Sequence, residues 1–490
     1  MPVAPQVLRH AAARPHALAL RGPSGSLSYG ELAARVQGAA RTLLATRDRR
    51  GSLGGSKVLA VTLADPVEVL VAALAADLAG VTPLLCDPSW DAARRERILE
   101  AVPVDGRLDA PLAETPGAPI VPRPAPDDRV WACFSSGSTG RPRAVVRTRA
   151  SWAGSFPHVD RLAGVTSADT VLVPGPLVSS LFGFAAVHAL AAGAAALVPG
   201  RWQPAALAGH LREATVAHLV PHALPALLEA MPGGPLRTVL VGGASLPAGS
   251  RAAAERAGLR VLAYYGATEL SFVAVDVDGT GLRAFPEVDI EVRGRPLGEV
   301  WARSPWLSEG YLADGAGPLR VDERGWMSVG DVAEPYDGPD DGPADSRADS
   351  GAGDRADDGA ESGAGGRADG RAGGGVLRVR GRGDGAIQTG GATVVPEDVE
   401  AVLREAPGVR DVVVVGSPHP VLGSVVTAVV EGRPARDELE AVARAGLDPA
   451  QRPRLWYAMP ALPRTPAGKP ARGQVSALAA TGDPALRKLA

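Results

Sequence analysis

Cys133-Phe134-Ser135-Ser136-Gly137-Ser138-Thr139-Gly140-Arg141-Pro142-Arg143-Ala144 is the stretch on which the reading of this chain turns. It opens apolar, as a buried strand does, and changes abruptly to glycine and hydroxyl residues. Gly137 and Gly140 let the backbone curl so that several N–H groups face one point, which makes a nest for an anion. Ser135, Ser136, Ser138 and Thr139 add hydroxyl donors and Arg143 a fixed positive charge, so the stretch suits a polyphosphate. A Ser/Gly-rich surface loop has the same composition, and the Gly-Lys-Ser/Thr spacing of the common P-loop is absent. The rest of the chain has to decide between these readings.

At 490 residues the chain is too long for one ordinary core and predicts two or more domains. A formal net charge of −3, with no basic excess, gives no nucleic-acid footprint and no polybasic membrane segment. Cys86 and Cys133 both lie in apolar contexts, which points to a reducing, cytoplasmic compartment rather than a disulfide framework. Arg9, His10, Arg14 and His16 interrupt any apolar run of signal-peptide type. Residues 177–198 carry no charge over a membrane-spanning length, yet they are mostly Ala and Gly, contain Ser179, Ser180 and His188, and are bracketed by prolines. They read as a buried helix leading into a buried strand. The chain has no Asn, and its lysines are Lys57, Lys469 and Lys488 against abundant Arg. A lysine in this background is less expected to be surface decoration.

Outward from the Ser/Gly stretch, short apolar runs alternate with helical patterns. Ser28-Tyr29-Gly30-Glu31 is a capping box before a helix. Strands are expected at 57–63, 81–85, 170–173, 194–198, 217–220, 238–241 and 261–265, with helices at 67–79 and 247–257; residues 103–129 read as a loop. This alternation predicts helix-covered parallel sheets. The 238–241 run stops at Gly242-Gly243-Ala244 and the 261–265 run at Gly266-Ala267-Thr268-Glu269. Parallel strands of this kind place their ligand at the carboxyl edge of the sheet. Residues 337–375 hold no apolar residue larger than Pro or Ala and are expected to be a disordered insert. It separates 331–333 from 375–379, two runs that would pair as a hairpin, and a hairpin tip tolerates such a loop. Beyond Gly385 a compact α+β unit is expected, with a helix at 396–406, strands at 412–415 and 425–430, and a helix at 436–445.

Five segments, taken in order, give the chain a resemblance to the superfamily of adenylate-forming enzymes: acyl- and aryl-CoA synthetases, peptide-synthetase adenylation domains and beetle luciferases. Phe134 to Ala144 resembles its phosphate loop and Tyr265-Gly266-Ala267-Thr268-Glu269 its Tyr-Gly-x-Thr-Glu motif. Gly325-Trp326 with Gly330-Asp331, Gly381-Arg382-Gly383-Asp384 with Gly390-Gly391, and Pro463 to Lys469 resemble the three that follow. The implied fold is α/β: a large N-terminal domain (1–383) of helix-covered, mostly parallel sheets with a small β-barrel-like subdomain, then a mobile small α+β C-terminal domain (384–490). Two departures stand out. Arg143 replaces the loop's lysine, with Ala144 after it, and Ala263 stands where a polar residue often precedes the Tyr-Gly pair.

The resemblance implies ATP-dependent activation of a small carboxylic acid as acyl-AMP, with Mg²⁺, and transfer to the thiol of coenzyme A. The alternatives are the phosphopantetheine of a carrier protein as acceptor, or a catalytically silent binding protein of the same fold. Lys469 would bridge the carboxylate and the α-phosphate, Thr268 would touch that phosphate and Glu269 would hold Mg²⁺. Otherwise Lys469 is a solvated tail lysine and Glu269 a helix first-turn glutamate. Tyr265 would stack on adenine with Gly242, Gly243 and Ala244 opposite; Asp331 would accept from the ribose hydroxyls and Arg382 would meet the ribose or phosphate. Asp384 would be the hinge, with Gly390 and Gly391 beside the thiol path. Ser180, Phe182, Gly183, Val241 and Tyr264 would line the acyl pocket. No acidic residue occurs in 174–192 to pair with an α-ammonium, so the expected acid is aryl, fatty or another without an α-amine. The oligomeric state stays open.

Overall fold

The structure, a computed structural model, describes residues 3–49, 57–135, 143–200, 204–231, 233–295, 297–313, 318–336, 375–382, 385, 387–389, 392–419, 422–465 and 468–489. The expected insert (337–374) and Ser136, Gly137, Ser138, Thr139, Gly140, Asp384, Gly390 and Gly391 lie outside these. Of Ser135 and Arg382 only the backbone is described.

Four sheets carry the molecule. The largest has nine strands. Its centre is parallel: Thr170–Leu172, Val216–Leu219, Thr238–Gly242 and Arg260–Ala267 run the same way. At Arg260–Ala267 the direction reverses, because Ser271–Asp276 returns antiparallel after a tight turn at Thr268-Glu269-Leu270. The second sheet contains Lys57–Val61, Val81–Leu85 and Arg129–Ser135 in parallel. Arg143–Thr148 then pairs antiparallel with Arg129–Ser135, bringing Arg143 opposite Ser135. The Ser/Gly stretch therefore connects two paired antiparallel strands.

Local sequence explains these elements. Ser28 and Glu31 exchange reciprocal capping bonds, with Ser28 N to Glu31 Oε2 at 2.8 Å and Glu31 N to Ser28 Oγ at 3.2 Å, at the start of helix Tyr29–Arg49. Asp65 caps helix Pro66–Ala79, Pro66 opens it, and Gly80 closes it at φ 66°. A cap of this kind is worth about 1 kcal/mol. That helix is apolar all round except Glu68 and Asp77, and it is buried to match. Asp77 is held by Arg149 Nη2 at 2.7 Å, with both side chains inside the protein. Residues 177–198 form the helix Ser180–Ala192 and the strand Ala195–Leu197, as expected.

Two expectations needed correction. Residues 103–129 are not all loop, because Gly106–Leu108 adds a parallel strand beside Lys57–Val61; three residues are too few to show a period. An N-terminal helix, Val3–Ala13, packs on the core where no element was expected.

The third sheet is antiparallel; Asp331–Ala333 pairs across the insert with Val379–Arg382, which overlaps the expected run 375–379 only at Val379, while Leu377 bridges to Leu282. The fourth holds Ile387–Thr389, Val409–His419, Gly423–Gly432 and Leu455–Met459, with helices Pro396–Leu403 and Arg436–Gly446 around its own apolar core. It shares no strand with the third sheet. Arg380 joins the two units, pairing with Glu334 on one side and with Asp398 Oδ1 at 3.1 Å on the other.

Candidate active site

Four segments meet at the carboxyl ends of Thr238–Gly242 and Arg260–Ala267. The first is the strand pair Arg129–Ser135 and Arg143–Thr148 that flanks the Ser/Gly stretch. Its return strand places Arg147 inside the protein at 4 % exposure. The guanidinium donates to the Thr268 carbonyl at 3.3 Å, the Ser151 carbonyl at 2.8 Å and the Trp306 carbonyl. Burial pushes its pKa down to about 10 against the pull of Cys133 and Glu269. The same burial pushes the Cys133 thiol up to about 12, so it stays a neutral core group.

Glu269 is 3 % exposed in the turn after Arg260–Ala267, and no helix follows it. Its Oε1 accepts from the Tyr311 hydroxyl at 2.9 Å, and its backbone oxygen accepts from Ser308 N at 2.9 Å. Tyr311 stands opposite Val145 on the hairpin's return strand. Its phenol is pushed well above the usual range, first by burial and then by Glu269. It therefore donates and does not ionise. Arg147 and Tyr311 tie the Ser/Gly hairpin to Thr268 and Glu269. Neither was found in the sequence; an arginine directly after the apolar run 144–146 was the available signal for the first.

The second segment is the start of helix Ser180–Ala192. Ser180 Oγ lies 2.9 Å from Thr268 Oγ1. Phe182, Gly183 and Val241 are buried: Phe182 lies over Gly175, and a Cβ on Gly183 would meet Trp131 at 2.9 Å. Tyr264 keeps partial exposure, packs on Phe272 with ring centroids 4.7 Å apart, and covers Gly242. A Cβ on Gly242 would stand 2.2 Å from the Tyr264 ring. The third segment is Asp331. Its Oδ2 accepts from the Tyr265 hydroxyl at 2.8 Å, and it pairs in register with Arg382.

The fourth is the tail. Lys469 sits in a tight turn that Arg464 and Pro470 close with a bridge. Its side chain runs over Gly243: a Cβ there would lie 3.0 Å from Lys469 Cε and 3.4 Å from Nζ. Gly243 also has φ +91°, a conformation other residues rarely adopt. Thus Gly242, Gly243, Tyr264, Tyr265, Thr268, Glu269, Ser180, Asp331 and Lys469 gather around one sheet edge, while Phe182, Gly183 and Val241 lie in the packed wall behind it.

A family model described as AMP-binding enzyme matches residues 102–312, and one described as AMP-binding enzyme C-terminal domain matches 398–469. An uncharacterized acyl–CoA ligase of Bacillus subtilis is 30 % identical over 75 % of this chain and 73 % of its own length. A feruloyl-CoA synthase of an Amycolatopsis species is 26 % identical over 96 % and 97 %. The ATP-bound MatB structure from Rhodopseudomonas palustris superposes with a TM-score of 0.78 at 21 % identity, covering 97 % of this chain and 99 % of that one. Bacillus subtilis o-succinylbenzoate coenzyme A synthetase, with ATP and magnesium ion, gives 0.77 at 20 % identity over 97 % and 99 %. Among the described residues no helix is long and apolar enough to cross a membrane. The chain belongs to the AMP-binding, adenylate-forming family, on its acyl-CoA synthetase-like side.

Proposed function

We propose that this chain joins a carboxylic acid without an α-amine to the thiol of coenzyme A, in two steps that consume ATP. In the first, a carboxylate oxygen attacks the α-phosphorus and the α–β phosphoanhydride bond breaks. Pyrophosphate leaves and an acyl-adenylate remains. In the second, the thiol sulfur attacks the acyl carbonyl, its proton passes to solvent and AMP leaves.

The barrier in the first step is electrostatic, since two anions must touch. The Lys469 side chain lying over Gly243 is the observation that supports this reading, because it brings an ammonium from the tail to the sheet edge where Thr268 and Glu269 stand. There it would neutralise both anions as the new bond forms. The Ser180 contact holds the Thr268 hydroxyl in place for the α-phosphate. The Tyr265–Asp331 bond sets ring and carboxylate together for adenine and ribose. Glu269 fits Mg²⁺, which takes one or two carboxylates and completes its shell with phosphate oxygens and water; bound, the ion would offset the charge of the departing pyrophosphate. Arg143 keeps a cation at the hairpin with a planar fork in place of a point charge.

Relatives named for feruloyl and 2-succinylbenzoate groups put aryl acids first in any panel. The test is acid-dependent exchange of pyrophosphate into ATP across aryl, fatty and amino acids. An active acid should appear, and Lys469→Ala should lower exchange about 10²- to 10³-fold with little change in ATP binding. A Lys469→Ala protein as active as wild type would refute the assignment. Coenzyme A added to the loaded enzyme should then accelerate AMP release.

A further inference from the structure

The tail turn is built to be rigid. Thr465 N donates to the Lys469 carbonyl at 2.7 Å and Lys469 N donates back to Thr465 Oγ1 at 3.2 Å. Arg464 reaches the Gly468 carbonyl at 3.2 Å and is anchored behind by Asp411 at 3.0 Å and Glu431 at 3.1 Å. All of these bonds are internal to the C-terminal unit. They fix the shape of the turn, but not where it sits on the large domain.

Two successive residues of the turn touch the large domain. Lys469 lies over Gly243, whose Cβ position is also 3.6 Å from Val220 Cγ1. Gly468, at φ +80°, lies against His222: a Cβ on Gly468 would be 2.7 Å from the ring's Cε1 and 2.8 Å from its Nε2. His222 stands in the 3-10 turn Pro221–Ala223, two residues after Val220 and fixed by the end of strand Val216–Leu219. One short segment therefore backs both contacts.

We propose that His222 is the seat of the lysine turn, a positioning residue that sets where the Lys469 ammonium arrives for adenylation and has no part in thioester formation. This rests on the function proposed above. The fit needs the imidazole edge on one side and the missing side chain of Gly468 on the other. A smaller residue at 222 leaves the turn unsupported, and a larger one at 468 lifts it off the seat.

The experiment compares the half-reactions, using the best acid of the exchange panel. His222→Ala should lower the kcat of pyrophosphate exchange about tenfold, with the KM for ATP within twofold of wild type. Thioester formation from the presynthesised acyl-adenylate should be unchanged. Gly468→Ala should lose more, and H222A/G468A should recover part of that loss, because the ring that meets the new methyl is gone. Equal losses in both half-reactions, or a double variant at the product of the single losses, would overturn the proposal. Absence of exchange with every acid in the wild-type protein would instead refute the proposed function. In that event H222C/G468C with a short bismaleimide still decides the seat, since Cys86 and Cys133 are buried: an intramolecular cross-link supports it, and failure to cross-link overturns it.

Discussion

The two cationic groups that define the site are held in opposite ways. Arg147 is enclosed, with three backbone carbonyls as acceptors and the buried Glu269 carboxylate nearby. Lys469 is half-exposed on a turn whose anchoring side chain, Arg464, is itself partly in water. In a low-dielectric interior a guanidinium without its acceptors is costly, whereas a partly exposed ammonium is removed at smaller cost. One cation organises the receiving edge permanently. The other stands on the tail turn, which lies against Gly243 and His222.

Removing the enclosed cation gives the largest expected effect. Arg147→Met should strand the Thr268, Ser151 and Trp306 carbonyls and cost about 3 kcal/mol or more of stability, read by urea unfolding. Lys469→Ala in the same assay should unfold with wild type; comparable losses from the two would break the comparison. Tyr311→Phe is next: Glu269 Oε1 loses its hydroxyl donor, and a bond to a charged group is worth about 1.5–3 kcal/mol. Its effect should appear in both stability and magnesium dependence of exchange. The smallest effect is a pH dependence at the seat. Burial first, then Arg464, hold the His222 imidazole below its usual range, with Asp411 and Glu431 opposing. The docked arrangement thus favours the neutral ring. Its contribution should be present above the ordinary imidazole range, about pH 6.5, and fade as the pH falls. Adenylation in wild type should show this acid limb, and His222→Gln should flatten it; an unchanged limb would assign the titration elsewhere.

Much of this was legible in the chain because it is written locally. The capping box at Ser28–Glu31, the Pro66–Gly80 helix and the glycine-ended strands at 242 and 266 are set by neighbours a few residues apart. The pairing across the insert was also readable, since its flanks are apolar and the insert is not. What was hidden depends on distant backbone. The acceptors of Arg147 lie as far as 159 residues away, and no spacing rule announces where carbonyls converge. Tyr311 is recognisable only once its strand lies beside Val145. His222 follows an apolar strand in a plain proline turn, and its partner is a glycine, which has no side chain to advertise the contact.

The glycine pair has a consequence for anyone who wants to change side chains at this sheet edge. A side chain at position 242 would first meet the Tyr264 ring, so shrinking one and enlarging the other is a trade of volume between two facing sites. Position 243 offers no such exchange: its left-handed backbone strains any side chain, and the stem of the tail lysine would have to shift to admit one. Substitution here should therefore treat 242 and 264 as one coupled variable and leave their neighbour untouched.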